Sequence, residues 1–181
     1  MNILITGSNG FVGKNLFYFL KQKKNINIFN FDKSKSNKDF LFFLKKSDLI
    51  IHTAGVNRSK KKKDFKKNNE DLTNLICSNL THKQKIIFTS SIQAKIKNTY
   101  GISKNNCEKI IKKQSVVKKF SYVILKIPNV FGKWSKPNYN SVIATFCFNI
   151  PRNKKITIDN PNKIIKLIYI DDLINILIAA L

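Results

Sequence analysis

Five short apolar runs, separated by stretches with helical spacing, constrain this 181-residue chain more than any other feature. They are "NILIT" (Asn2 to Thr6), "INIFNF" (Ile26 to Phe31), "DLIIHT" (Asp48 to Thr53), "KIIFTS" (Lys85 to Ser90) and "SYVILKI" (Ser121 to Ile127). All are short, rich in β-branched or aromatic residues and apolar on both faces, which suits strands of a buried parallel sheet. Helical spacing predicts helices at Val12 to Gln22, Phe40 to Lys46, Asn68 to Leu80 and Gly101 to Lys118. Strand and helix in turn predict an α/β fold with a doubly wound parallel sheet. After Ile127 the pattern becomes irregular. "PNVFGKWSKPNYNS" is rich in turn residues, and a helix at Val142 to Asn149, a short strand "KITI" and the apolar "YIDDLINILIAAL" follow.

The loop "TGSNGFVGKNL" leaves the first strand and opens the first helix. Gly7, Gly10 and Gly13 stand three apart, unlike GxGxxG, but meet the same needs. They allow a tight turn, a close approach of backbone to pyrophosphate, and close helix packing. The helix N-terminus offers free N–H groups to phosphate. This context gives the sheet a Rossmann-like character and an NAD(H) or NADP(H) cofactor. Asp32 ends the second strand, where a carboxylate can accept from an adenosine ribose and favours NAD. Lys33 and Lys35 follow at once and could hold the extra phosphate of NADP, so the choice stays open. The division is a nucleotide-binding domain over 1–130 and a partial substrate-binding segment over 131–181.

In "TYGISK", Tyr100 and Lys104 stand four apart and share a helix face. A tyrosine in water has a pKa of about 10, too high for proton exchange near neutrality. A neighbouring ammonium is expected to lower it and to make Tyr100 a general acid or base. A second hydroxyl is expected at the end of the neighbouring strand, where "FTSSIQA" offers Ser90 and Ser91.

The net charge of +24 suggests nucleic acid until its make-up is considered. Only Arg58 and Arg152 among the 34 basic residues are arginines, the side chain that reads bases and clamps phosphates. The expectation is no nucleic-acid partner, and a solvated loop for the charge run Lys60 to Lys67. Cys77, Cys107 and Cys147 have no CxxC spacing, so no disulfide framework and no metal site is expected, and the setting is cytoplasmic. Asp171 and Asp172 interrupt the apolar C-terminal run and argue against a membrane span.

Through "TGSNGFVG", "HTAGVNR", "SSIQA" and "YGISK" the chain resembles the extended short-chain dehydrogenase/reductase family. More narrowly, "PNVFGKWSKPNYNSVIATFCFNI" is similar to the reductase domains of bifunctional capsular-polysaccharide enzymes that make the precursor of UDP-N-acetyl-L-fucosamine. That resemblance implies hydride delivery to the 4-keto carbon of a UDP-2-acetamido-2,6-dideoxy-hexos-4-ulose. It implies Tyr100 as proton donor, Lys104 as its partner on the cofactor ribose, and Ser91, with Ser90 as alternative, orienting the keto oxygen. Gly7, Gly10, Phe11, Val12, Gly13 and Asp32 match cofactor positions, as do Ala54, Gly55 and Val56 beside ribose and phosphates, and Pro128 and Val130 near the nicotinamide. Asn129, Asn138 and Asn140 are candidates for the UDP-sugar.

Relatives of this kind continue into more of the substrate lobe and a cupin domain, so the lobe is expected to be truncated here. They pair through a four-helix bundle, which would make Ile76, Ile110 and Val117 a homodimer interface. Two alternatives stand beside the reductase: an epimerase or dehydratase of the same superfamily, and a non-catalytic NAD(P)-binding fragment. Dehydratases place an acidic pair after the strand-end hydroxyl, and "SSIQAK" has none.

Overall fold

The computed structural model describes residues 1–32, 34–158 and 160–181. Lys33, one of the two cations considered for an NADP phosphate, lies outside the described residues. Five strands, β1 (Asn2–Thr6), β2 (Asn27–Phe31), β3 (Leu49–His52), β4 (Lys85–Ser91) and β5 (Ser121–Ile127), form one parallel sheet in the order β2-β1-β3-β4-β5. The chain winds outward from β1 to β2, then crosses to β3 on the other side. A crevice therefore opens between the carboxyl ends of β1 and β3, where ligands of such sheets bind.

The runs of β1, β3 and β4 are buried and send alternate residues to opposite faces, whereas β2 and β5, at the sheet edges, are largely half-buried or exposed. Ile3, Ile5, Ile51 and Ile87 meet Leu16 and Leu20 of α1 (Phe11–Lys21) and Leu173, Ile174 and Leu177 of α7 (Ile170–Ala179). Leu4, Ile50, Ile86 and Phe88 meet Phe40 and Leu44 of α2 (Asn37–Lys46), Ile76 of α4 (Leu72–Ser78), and Cys107 and Ile111 of α5 (Thr99–Lys118). Each such side chain contributes about 1.5–3 kcal/mol by leaving water. The Cys77 thiol is pushed up to about 12 by this burial, which makes it inert as a nucleophile.

Capping explains why two helices begin earlier than their apolar spacing suggests. Ser36 and Asp39 form a reciprocal capping box ahead of α2, and Asn98 accepts from the Gly101 N–H at 2.7 Å ahead of α5. The stretch expected as one helix over Asn68 to Leu80 is composite. A helical turn α3 (Lys62–Phe65) leads through a π-helical segment (Lys66–Asp71) into α4. The lysine run is thus partly helical, because Phe65 buries its ring and fixes the turn.

The expected strand at Lys155 to Ile158 does not form. The short parallel pair of this region is instead β6 (Asn129–Phe131) with β7 (Leu167–Tyr169), and α6 (Val142–Asn149) lies between them in sequence. "KITI" has the propensity but no strand to pair with. The expectation for Ile76 is also corrected. It is fully buried in the core below α4, whereas Val117 is 69% exposed on α5. Among the described residues, no helix is long and apolar enough to cross a membrane, and no cluster of metal-binding side chains occurs.

Candidate active site

A cavity of about 500 Å³ opens at the carboxyl edge of the sheet and is continuous from the glycine loop to the N-terminal turn of α5. Gly7, Gly10, Phe11, Val12 and Gly13 form one wall, with Gly55 beside them. Ser90, Ser91, Tyr100 and Lys104 form the opposite wall, closed by Pro128, Asn129, Val130 and Asn140. Of the residues singled out in the sequence, Ala54, Val56 and Asn138 are not in this lining. Asp32 lines an adjoining space of about 370 Å³ together with Ser8, Asn9, Lys14 and Lys35.

The glycine loop has the shape a dinucleotide needs. Gly7 sits at φ +74°, and a Cβ there would stand 2.7 Å from the backbone N and Cα of Ala54. Ala54 therefore acts through its backbone, as the close neighbour of the loop. Neither a side-chain cap nor an acidic residue blocks the first turn of α1, so its N–H groups are left for an anion. The Ser8 hydroxyl is buried at the adjoining space without a hydrogen-bond partner among the described residues. An orphaned buried hydroxyl and free amides fit a pyrophosphate.

Asp32 is already occupied. It accepts from the Asn9 amide and from the Ser34 N–H and hydroxyl, and the Ser34 bonds hold its carboxyl below the usual range. The Asn138 side chain exchanges hydrogen bonds with Asn149 at 3.3 and 3.2 Å, which ties it to α6 instead of the cavity. Asn129 lines the cavity while its amide donates to the Lys166 carbonyl.

The strand-end serines part company. The Ser90 hydroxyl donates to buried Glu108, whereas Ser91 faces the Tyr100 phenol and accepts from the Gln93 N–H at 3.1 Å. Strand alternation separates them, leaving Ser91 as the hydroxyl beside the tyrosine. Tyr100 reaches this position because Gly101 lets α5 start against the turn after β4. A Cβ on Gly101 would overlap the carbonyl oxygens of Gln93 and Ile96.

The electrostatics differ from the sequence-based expectation. Burial pushes the Tyr100 phenol up, and the Ser91 hydrogen bond only partly opposes it. Lys104 does not lower the phenol here, because its ammonium donates to the Thr89 carbonyl at 2.8 Å and lies over the Phe88 ring. Lys104 is 5% exposed, and burial pulls it down to about 8 against the opposing pull of Cys107 and Glu108. Tyr100 is thus a protonated donor at neutral pH, and Lys104 a cation close to its titration point.

Several residues escaped the sequence reading. Asn69, on the π-helical segment, accepts from the Val56 N–H at 2.7 Å and donates to the Val56 carbonyl and the Ser103 hydroxyl. Val56 therefore serves by clamping the β3 loop to the helices, and the irregular helix is what aims Asn69 there. Across the cavity mouth, Arg58 donates to the Tyr139 carbonyl at 2.6 Å, and the Tyr139 hydroxyl donates to Asn57. Arg58 and Asn57 lie within "HTAGVNR", a motif whose use was not readable from spacing.

Comparison with known proteins agrees with this geometry. Residues 3–181 match the NAD dependent epimerase/dehydratase family. The chain is 41% identical over 177 residues to the UDP-2-acetamido-2,6-beta-L-arabino-hexul-4-ose reductase of Pseudomonas aeruginosa, covering 96% of this chain and 48% of that protein. It superposes on the capsular polysaccharide assembling protein CapF from Staphylococcus aureus with a TM-score of 0.86 and 38% identity, over 99% of this chain and 48% of that one. UDP-glucuronic acid 4-epimerase from Bacillus cereus shares the fold, with a TM-score of 0.88 at 20% identity over 99% of this chain and 73% of that one. The chain spans about half the length of the reductase and CapF relatives. A Rossmann-like sheet, a dinucleotide-shaped glycine loop and a match along almost its full length make this chain a member of the NAD dependent epimerase/dehydratase family of extended short-chain dehydrogenases/reductases.

Proposed function

We propose that the chain is the reductase part of an NAD(P)H-dependent UDP-sugar 4-ketoreductase, acting on a UDP-2-acetamido-2,6-dideoxy-hexos-4-ulose in the supply of capsular sugars. The carrying observation is that Tyr100, Ser91 and Lys104 share a cavity wall facing the glycine loop. The reductase relative at 41% identity supports the substrate class. We take residues 1–130 as the nucleotide-binding domain and 131–181 as part of the substrate-binding lobe.

The first turn of α1 and Ser8 would hold the pyrophosphate, with Asp32 and Lys35 flanking the adenosine end. The reduced nicotinamide supplies a hydride when bound. Tyr100 gives its proton to the keto oxygen, and its raised affinity for that proton keeps it loaded near neutrality. Ser91 orients the same oxygen by a hydrogen bond. Lys104, cationic below about 8, lines the same cavity and would hold the cofactor ribose. Asn129 and Asn140 line the cavity, which supports their assignment to the sugar nucleotide.

Two copies are proposed to pair across α4 and α5, which leave Leu75, Ile102, Val116 and Val117 exposed. Three free cysteines accord with a cytoplasmic setting. Light scattering on the purified protein tests the dimer. The function is tested by mixing protein, NADPH or NADH, and the 4-keto UDP-sugar, and following nicotinamide absorbance. Oxidation that disappears in Tyr100→Phe is the expected result. Cofactor binding without turnover would overturn it in favour of a non-catalytic NAD(P)-binding module.

A further inference from the structure

The proposed chemistry employs Tyr100, Ser91 and Lys104 and leaves a buried carboxylate next to them without a task. Glu108 is 4% exposed and stands one turn beyond Lys104 on α5. One of its oxygens accepts from the Ser90 hydroxyl, and the other lies 3.4 Å from the Lys126 ammonium on β5. Withdrawing a carboxylate from water costs several kcal/mol unless partners compensate. An apolar residue at this buried position of α5 would avoid that cost.

The partners show what the carboxylate is placed to do. Lys104 grips the carbonyl of Thr89 while Glu108 grips the side chain of Ser90, the next residue of β4. Two contacts one helical turn apart thus fix α5 on the strand end that carries Ser91. Apart from the more distant carboxylate of Glu70, which is tied to Asn106, the other groups around Lys104 supply no negative charge at neutral pH. The Cys107 thiol is raised by burial, Tyr100 is raised, and Cys77 on α4 is at about 12. His52 on β3 stays neutral above about 3, and Lys126 on β5 is a cation paired to Glu108. Glu70 acts on Cys107 and accepts from the Asn106 amide.

We propose that Glu108 is a positioning residue for the reaction, fixing Ser90 and the α5–β4 contact so that Lys104 is held charged in the cavity wall with Tyr100 and Ser91. This rests on the reductase reading for its consequence in turnover, but its direct test does not. Competitive acetylation with acetic anhydride across pH, read by mass spectrometry on the Lys104 peptide, reports the protonation midpoint of that one lysine in the full chain. Glu108→Gln keeps shape and hydrogen bonding but removes the charge. It is expected to lower the midpoint by about one pH unit, a tenfold change in proton affinity. Glu108→Asp is expected to bring it back toward the unaltered value.

An unchanged or raised midpoint in Glu108→Gln overturns the proposal, as does failure of Glu108→Asp to rescue. If Glu108→Gln does not fold, Lys126→Gln decides at a half-exposed position. Freeing Glu108 from its other cation is expected to raise the Lys104 midpoint, and an unchanged or lowered one overturns the proposal. In turnover, the alkaline limb of the kcat profile follows the same shift in Glu108→Gln. Absence of turnover in the unaltered protein would count against the reductase reading and leave the labelling result to stand alone.

Discussion

The Lys104 ammonium donates to the main-chain carbonyl of Thr89 at 2.8 Å, two residues before Ser91 on the same strand. This bond ties α5 to the end of β4 that carries Ser91. Tyr100→Phe removes only the transferable proton, and kcat is expected to fall by about 10²–10⁴ while the cofactor still binds. Lys104→Met is expected to lower kcat and weaken cofactor binding together. Steady-state kinetics and a nicotinamide fluorescence titration separate the two.

Ser91 and Ser90 predict opposite phenotypes. Ser91→Ala deletes the hydroxyl beside the phenol and is expected to lower kcat by about 10²-fold, in the range of lost transition-state donors. Ser90→Ala strips a partner from buried Glu108 and is expected to cost about 1–3 kcal/mol of stability. Urea unfolding beside kinetics distinguishes them, and equal kinetic losses without a stability difference would reverse the assignment.

Gly101→Ala would ordinarily stabilise a helix by up to about 1 kcal/mol. Here the new methyl meets the carbonyl oxygens of Gln93 and Ile96, so a net loss of about 1–3 kcal/mol is expected. The urea midpoint should fall, and activity with it, because Tyr100 precedes the displaced residue.

His52 is fully buried between the hydroxyls of Thr6 and Thr73, at 2.7 and 3.0 Å, and burial lowers it to about 3 from an ordinary 6.5. Between those values the unfolded chain holds a proton that the folded chain excludes, so stability falls as pH drops through this window. The steepest part approaches about 1.4 kcal/mol per pH unit from this group. His52→Gln is expected to flatten the dependence of the urea midpoint between pH 6 and about 4.

The consecutive apolar residues of the five runs and the glycine loop after the first determined the sheet, its two covered faces and the side on which a dinucleotide could sit. Local chemistry of this kind acts through near neighbours, so spacing alone carries it. Tertiary packing decided the rest. It chose Ser91 over Ser90 as the tyrosine's neighbour, turned Lys104 toward Thr89, drew Ile76 into the core and aimed Asn69 at Val56. It also raised the phenol that the spacing had suggested would be lowered. Burial and long-range hydrogen bonds depend on which elements meet, and residues four apart in a helix cannot report how much water the opposing strand excludes from them.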